Sequence, residues 1–488
     1  MNNCGIMISI ERLITIKPEV SKLFVFVKQE NELISSQLVE HDILNFVNQQ
    51  IQENDKDFFA FNQLSQWLCV AVIKKKDDLN KQVEDFRKLG AKILDFCDKE
   101  YIKDLQFVSD VQKEYAIGFL EGMLLASYTF DNYKTDAKQT IHPFDNLFVI
   151  NPYVENNDIE QSIVVARAVE KYRDLVNEPY CSLNAEGLAT AFVNMSREAG
   201  IDVEVWHKDK IEEEKMGGLL AVNQGSVDPP TFTIMRYRPE GANESPLVFV
   251  GKGLVYDTGG LNLKPGDYMN DMKEDMAGAA MMACAIYAIA SLGLPIHVVG
   301  VFPSTDNRPG FNAYASGDII NMYDGTNVEV VNTDAEGRLI LADALSYAKK
   351  LSPFLVVDAA TLTGAAARAI GPYGIAAVEQ DAKEYMELLK ASGEKTYERI
   401  AQFPFWSEYD ELIKSDIADI KNCGPAEAGM ITAGKFLAHF TDYPYIHLDI
   451  AGVAMSDRKR DYILKGASGY GLRLMVEFVK SLIEKSKL

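Results

Sequence analysis

Leu247-Val248-Phe249-Val250-Gly251-Lys252-Gly253-Leu254-Val255-Tyr256-Asp257-Thr258-Gly259-Gly260 runs from an apolar strand into a glycine-rich stretch carrying charge. Strand-like runs recur from about residue 180 onward, at Phe232–Tyr237, His297–Val301, Val328–Val331 and Phe354–Val357. Helical patterns at Asp275–Leu292 and from near Arg338 fall between successive strands. Such alternation predicts an α/β fold, a mostly parallel, doubly wound sheet flanked by helices. Ligands of these sheets collect at the carboxyl ends of the strands. That is where the glycine-rich stretch lies.

Upstream, residues 1–155 mix short β-like runs (Leu23–Val27, Leu68–Ile73, Leu147–Ile150) with charged helices such as Asp77–Lys88. They read as a smaller N-terminal α/β domain with no polar cluster suited to catalysis. A helical pattern over Ile159–Leu175 ends before Asn177-Glu178-Pro179, where proline stops it. The expected division is therefore 1–155, a linker helix over 156–179, and a C-terminal domain over 180–488. The chain's 488 residues suit about two to three domains.

Composition narrows the function. With 71 acidic against 49 basic residues the formal charge is −22, which repels phosphate backbones, so no nucleic-acid partner is expected. No run reaches the roughly eighteen apolar residues of a membrane span, and Ala277–Leu294 reads as a buried helix. No secretory signal is recognisable, because Glu11 and Arg12 interrupt the early apolar run. Cys4, Cys69, Cys97, Cys181, Cys284 and Cys423 are scattered and read as free thiols of a reducing compartment. A cytoplasmic enzyme without a membrane partner is the expectation.

Three segments carry chemistry. The first holds Lys252, Asp257 and, a little further on, Lys264. Its order does not fit a phosphate-binding P-loop, and taken alone its charges also suit a solvated turn. The second, Met272-Lys273-Glu274-Asp275-Met276, opens a helix of small residues, where an Asp is ordinarily a cap. The third, Asn332-Thr333-Asp334-Ala335-Glu336-Gly337-Arg338-Leu339, follows the Val328–Val331 run. Asp334 and Glu336 repel each other there unless one is protonated or a cation neutralises both. Arg338 adds a fixed cation able to grip a planar anion, although a salt bridge to a neighbouring acid would also explain it. Together, four carboxylates (Asp257, Asp275, Asp334, Glu336) and two lysines at one sheet edge most simply hold two divalent metals. Paired metals lower the pKa of a shared water and generate hydroxide near neutral pH. The residues thus point to a metal-assisted hydrolase of unspecified substrate.

The string NTDAEGRL at Asn332–Leu339 resembles the signature of the leucyl aminopeptidase (cytosol aminopeptidase) family. VGKG at Val250–Gly253, DTGG at Asp257–Gly260, LKP at Leu263–Pro265 and DMAGAA at Asp275–Ala280 agree in order and spacing. So do DAATLTGA at Asp358–Ala365, SDIADIKN at Ser415–Asn422 and HLDIAG at His447–Gly452. The resemblance spans Tyr172 to the end, and the first 150 residues are only compatible with it. It implies a metalloexopeptidase releasing leucine and other N-terminal residues from peptides, by a metal-bridged hydroxide attacking the scissile carbonyl. It implies metal ligation by Lys252, Asp257, Asp275, Asp334 and Glu336, with Asp257 and Glu336 shared between two ions. Lys252 can ligate only as a neutral amine, whose proton the metal displaces. The cofactors implied are zinc and/or manganese, with bicarbonate at Arg338 as a proton shuttle.

Lys264 and Arg338 are the implied catalytic residues, Lys264 stabilising the oxyanion. Met272, Asn332, Ala335, Thr361, Leu362, Gly364, Ala451 and Ala454 are the implied substrate-binding residues, and a homohexamer the implied assembly. None of the six histidines (His41, His142, His207, His297, His439, His447) falls in these loops, and each reads as structural. The departures from the family pattern are Ala277, Ala315-Ser316-Gly317-Asp318, Ala454 and Gly469-Tyr470-Gly471. They bear on side-chain preference and subunit packing and leave the ligand set intact. The rival readings are a two-metal phosphoesterase and an architectural, DNA-binding member of the same family.

Overall fold

The computed structural model describes residues 8–21, 23–29, 41–54, 58–135 and 144–486. Cys4 and His142 lie outside these described residues. Two compact units form, one of Met1–Glu170 with Lys459–Leu464, the other of Lys171–Arg458 with Lys465–Leu488.

The first unit is built on a six-stranded sheet. Its order is Ser9–Arg12, Asn146–Ile150, Asp104–Ser109, Leu23–Gln29, Trp67–Ile73, Phe58–Asn62. Neighbours are parallel except for the last pair. The helix predicted over Asp77–Lys88 is longer, Leu79–Lys99, and Asp78 caps it by accepting from the backbone N–H groups of Asn80 and Lys81. It packs on the Lys113–Ala126 helix, where the rings of Phe86 and Tyr115 stack with centroids 5.0 Å apart.

The second unit carries a nine-stranded sheet. Eight strands run in the order Ile400–Gln402, Ile375–Gln380, Tyr445–Asp449, Leu355–Ala360, Leu247–Gly251, Val298–Asn307, Thr231–Tyr237, Asp202–Trp206. The ninth, Gly253–Asp257, pairs with the far end of Val298–Asn307. The four central strands are mutually parallel, and antiparallel pairs flank them. Every residue of Leu247–Gly251, Val298–Asn307 and Leu355–Ala360 is buried, as expected of strands covered on both faces.

The Ala277–Ser291 helix covers this sheet and is buried almost all round, in keeping with its alanines. The approach is close. A Cβ at Gly278 would stand 2.0 Å from the Ala359 carbonyl oxygen, so glycine is needed there. No helix among the described residues is long and apolar enough to cross a membrane. Cys69, Cys97, Cys181, Cys284 and Cys423 are free thiols.

Two strand expectations are corrected. The His297–Val301 run extends to Val298–Asn307, because Pro303 falls inside the strand instead of ending it. The Val328–Val331 run does not enter the main sheet. Its strand, Asn327–Glu329, turns back on Ile319–Asn321 and pairs with Ile420–Lys421 in a separate three-stranded sheet. A run this short is read only by its apolar residues, which do not say which sheet takes it.

Candidate metal centre

Five chain segments meet at the carboxyl end of the parallel strands. Lys252 follows Leu247–Gly251, and its backbone N–H donates to the Ala359 carbonyl at 3.1 Å. Asp257 ends Gly253–Asp257. Lys264 stands beyond it, its N–H tied to the Thr258 carbonyl at 2.9 Å. Asp275 sits in the 3-10 turn Met272–Met276. Asp334 and Glu336 lie just before the Gly337–Ala348 helix.

The cap that the Asp275 segment suggests when taken alone is not what forms. Its Oδ1 accepts from Nζ of Lys252 at 2.8 Å and from the hydroxyl of Thr361 at 2.7 Å. Lys252 Nζ also lies 3.0 Å from Oε1 of Glu336 and donates to the Thr361 carbonyl at 3.0 Å. Nζ of Lys264 lies 2.7 Å from Oδ2 of Asp257 and 2.7 Å from Oδ1 of Asp334. Asp257, Asp334 and Glu336 each bring an oxygen within 4.8 Å of the other two. Lys252, Asp257 and Glu336 are each 2% exposed.

Four carboxylates thus face two ammonium groups, with Lys252, Asp257, Asp275 and Glu336 buried and the Asp334 side chain 33% exposed. Burial pushes the Asp275 carboxyl up to about 8, with Asp257 and Glu336 adding to the rise against the pull of Lys252. Burial likewise raises Glu336 and Asp334, reinforced by Asp257 and Glu336 respectively. For Lys252 and Lys264 burial alone would favour the neutral amine. The surrounding carboxylates overturn it and hold both above the ordinary lysine value.

The donor set suits divalent metal. Oε2 of Glu336 is buried without a hydrogen-bond partner. Oδ2 of Asp275 lies 2.7 Å from Lys252 and Oδ1 of Asp334 lies near Lys264, but neither oxygen is in hydrogen-bond alignment. Buried anionic oxygens short of donors are what a cation satisfies. Oxygen ligands alone favour manganese or magnesium, and an amine from Lys252 widens the set.

Arg338 is buried at the start of its helix and donates from Nη1 to the Asn422 carbonyl at 2.9 Å, while its Nε has no partner among the described residues. Three of the candidate substrate-binding residues share segments with the candidate ligands, and the other five follow two further strands of the sheet. Asn332 and Ala335 share the segment of Asp334, and Met272 opens the turn of Asp275. Gly364 begins the Gly364–Ile370 helix, while Ala451 and Ala454 follow Tyr445–Asp449. Asp449 joins two of these segments, accepting from the N–H groups of Leu362 and Ala451, each at 3.2 Å. Thr361 is committed to Asp275 and Lys252, so the structure gives it a supporting contact to the carboxylate cluster.

Three asparagines that the sequence reading passed over lace the loops together. Asn262 Oδ1 accepts from the Thr333 N–H at 2.8 Å. Asn422 accepts at Oδ1 from the Val331 N–H at 2.8 Å and donates from Nδ2 to the Asn332 carbonyl at 2.8 Å. Asn307 reaches both Asp257 and the Thr333 carbonyl. Asn422 lies within the quoted SDIADIKN stretch; the other two carried no spacing signal.

The catalytic-domain profile of the cytosol aminopeptidase family matches residues 170–476. A "Probable cytosol aminopeptidase" of Chlorobium limicola is 41% identical over 425 residues, 82% of this chain and 84% of that one. Another, from Geobacter sp., is 43% identical over 364 residues, 74% of each chain. The solved bottromycin maturation enzyme BotP in complex with Mn superimposes with a TM-score of 0.84 at 28% identity, covering 95% of this chain and all of that one. The chain belongs to the cytosol aminopeptidase family and is a hydrolase, a peptidase that releases N-terminal residues.

Proposed function

We propose that this aminopeptidase works with two divalent metal ions held by Lys252, Asp257, Asp275, Asp334 and Glu336. The observation that carries the reading is the convergence of Asp257, Asp334 and Glu336 within 4.8 Å, with Lys252 and Lys264 against them. When bound, the metal pair lowers the pKa of a water and polarises the scissile carbonyl. Asp257 and Glu336 would hold the metals from buried positions. Lys252 would ligate as the neutral amine, giving up the proton that the neighbouring carboxylates hold on it.

Lys264 is less buried than Lys252 and remains an ammonium beside Asp257 and Asp334. There it neutralises charge as it develops on the carbonyl oxygen. Arg338, with Nε unpartnered, is suited to hold a planar anion such as bicarbonate, which would carry the water's proton. The loops of Met272, Asn332, Ala335, Thr361, Leu362, Gly364, Ala451 and Ala454 form the substrate walls in this reading. Manganese or zinc are the metals proposed, and the structural relative solved with Mn supports the former. A homohexamer in the cytoplasm acting on peptides completes the proposal.

The test is hydrolysis of leucine p-nitroanilide after chelator stripping and resupply of zinc or manganese, beside Lys264→Ala and a phosphate-ester control. Metal-restored cleavage abolished in the variant supports the reading. Aminoacyl substrates left uncut under every metal would sink it.

A further inference from the structure

Asn307 ends the longest strand of the sheet, fully buried, in register with Asp257 on the neighbouring strand. Its Nδ2 donates to Oδ1 of Asp257 at 2.9 Å and to the carbonyl of Thr333 at 3.0 Å. Its backbone carbonyl accepts from the Thr258 N–H at 3.1 Å and the Thr258 hydroxyl at 2.8 Å. One residue therefore grips both ligand-bearing loops, the one after Asp257 and the one leading into Asp334.

The orientation of the amide follows from its surroundings. Turning it over would set Oδ1 against two acceptors, Asp257 Oδ1 and the Thr333 carbonyl, with no proton between them. In the orientation observed, Oδ1 is buried without a partner. An unsatisfied buried carbonyl is destabilising, and the chain retains it where a smaller apolar residue would avoid the cost. It also constrains the neighbour: a Cβ at Gly260 would stand 2.8 Å from that oxygen.

We infer that Asn307 is a positioning residue for the metal centre. It holds the plane of the Asp257 carboxylate together with the Gly259 N–H, which reaches the same oxygen at 2.8 Å. It also fixes the distance between Asp257 and the Asp334–Glu336 segment through the Thr333 carbonyl. The inference rests on the two-metal reading above. Groups that orient ligands in this way change metal affinity by about tenfold to a hundredfold when removed.

The experiment titrates Mn²⁺ into the chelator-stripped full chain by calorimetry, for the wild type, Asn307→Leu and Asn307→Ala, with thermal melting alongside. Tyr443→Phe is the control, because it removes a buried 2.7 Å hydrogen bond to the Leu345 carbonyl away from the site. The expected result is Mn²⁺ affinity weakened about tenfold to a hundredfold in both Asn307 variants and unchanged in Tyr443→Phe. If Asn307→Leu does not fold, Asn307→Ala decides. Asn307 variants that bind Mn²⁺ as tightly as the wild type overturn this inference alone. A wild type that takes up no divalent metal overturns the two-metal reading and this inference with it.

Discussion

Nζ of Lys252 lies 2.7 Å and 2.8 Å from the two carboxylate oxygens of Asp275, in a pocket where both side chains are almost wholly buried. Neither charge is stable there without the other. Lys252→Ala should therefore do more than remove a ligand. Breaking a buried pair by deleting one partner costs about 3–5 kcal/mol. Urea unfolding of the chelator-stripped protein is the measurement, and a variant as stable as the wild type would contradict the pairing.

Lys252 ties metal uptake to pH. Against the pull of burial, the carboxylates around it hold its amine above the ordinary lysine value, so it is an ammonium while metal is absent. Ligation needs the neutral amine, so metal binding would expel that proton. Mn²⁺ affinity should rise with pH through the neutral range and beyond, and binding at pH 7 should release protons. Calorimetry in buffers of different ionisation enthalpy reads this directly, and heats independent of the buffer would refute it.

Lys264 touches Asp257 and Asp334 without entering the fully buried group around Lys252. Removing an oxyanion-stabilising charge lowers kcat by about 10²–10³. If that is its role, Lys264→Met should lose kcat by this order with KM little changed, as expected for an interaction made in the transition state. Steady-state kinetics on an aminoacyl anilide checks it. A loss confined to KM would assign Lys264 to substrate binding.

His447, one of the histidines read as structural, is fully buried with Nδ1 2.8 Å from Oδ1 of Asp358, which also accepts from the Tyr445 hydroxyl. Burial pulls the imidazole down, but Asp358 outweighs it, so its folded pKa lies above the ordinary 6.5. A histidine raised on folding contributes stability that is fully present below about 6.5 and is lost as pH rises through the folded value. His447→Asn, which can still donate to Asp358, should flatten this part of the profile. Denaturant unfolding of metal-free wild type and variant across pH 6 to 9, compared pairwise, measures the difference. Parallel profiles would show that folding does not raise the His447 pKa.

Much of the site was legible before any coordinates. Asp334, Glu336 and Arg338 sit within five consecutive residues, and Lys252 and Asp257 follow one apolar strand, so sequence neighbourhood already brought them close. Asp275 was ambiguous, since an Asp before a run of small residues looks like a cap. Its partner Lys252 lies 23 residues away, across a sheet edge. The Asn332–Leu339 segment follows the strand expected, but that strand belongs to a separate three-stranded sheet. The segment's anchors are side chains of Asn262, Asn307 and Asn422, up to 90 residues distant.

By itself, the sequence determined which chemical groups were available and the alternation that stacks them at one edge of a parallel sheet. Both are properties of local order, since apolar period and loop composition are written along the chain. Only the tertiary structure decided which carboxylate faces which lysine, that Asp275 is paired with Lys252 out of water, and that Asn307 binds two loops into one centre. Those outcomes depend on through-space distances of about 3 Å between distant residues and on how far water is excluded around them. Coulomb energy and desolvation are set by that geometry, which spacing along the chain does not encode.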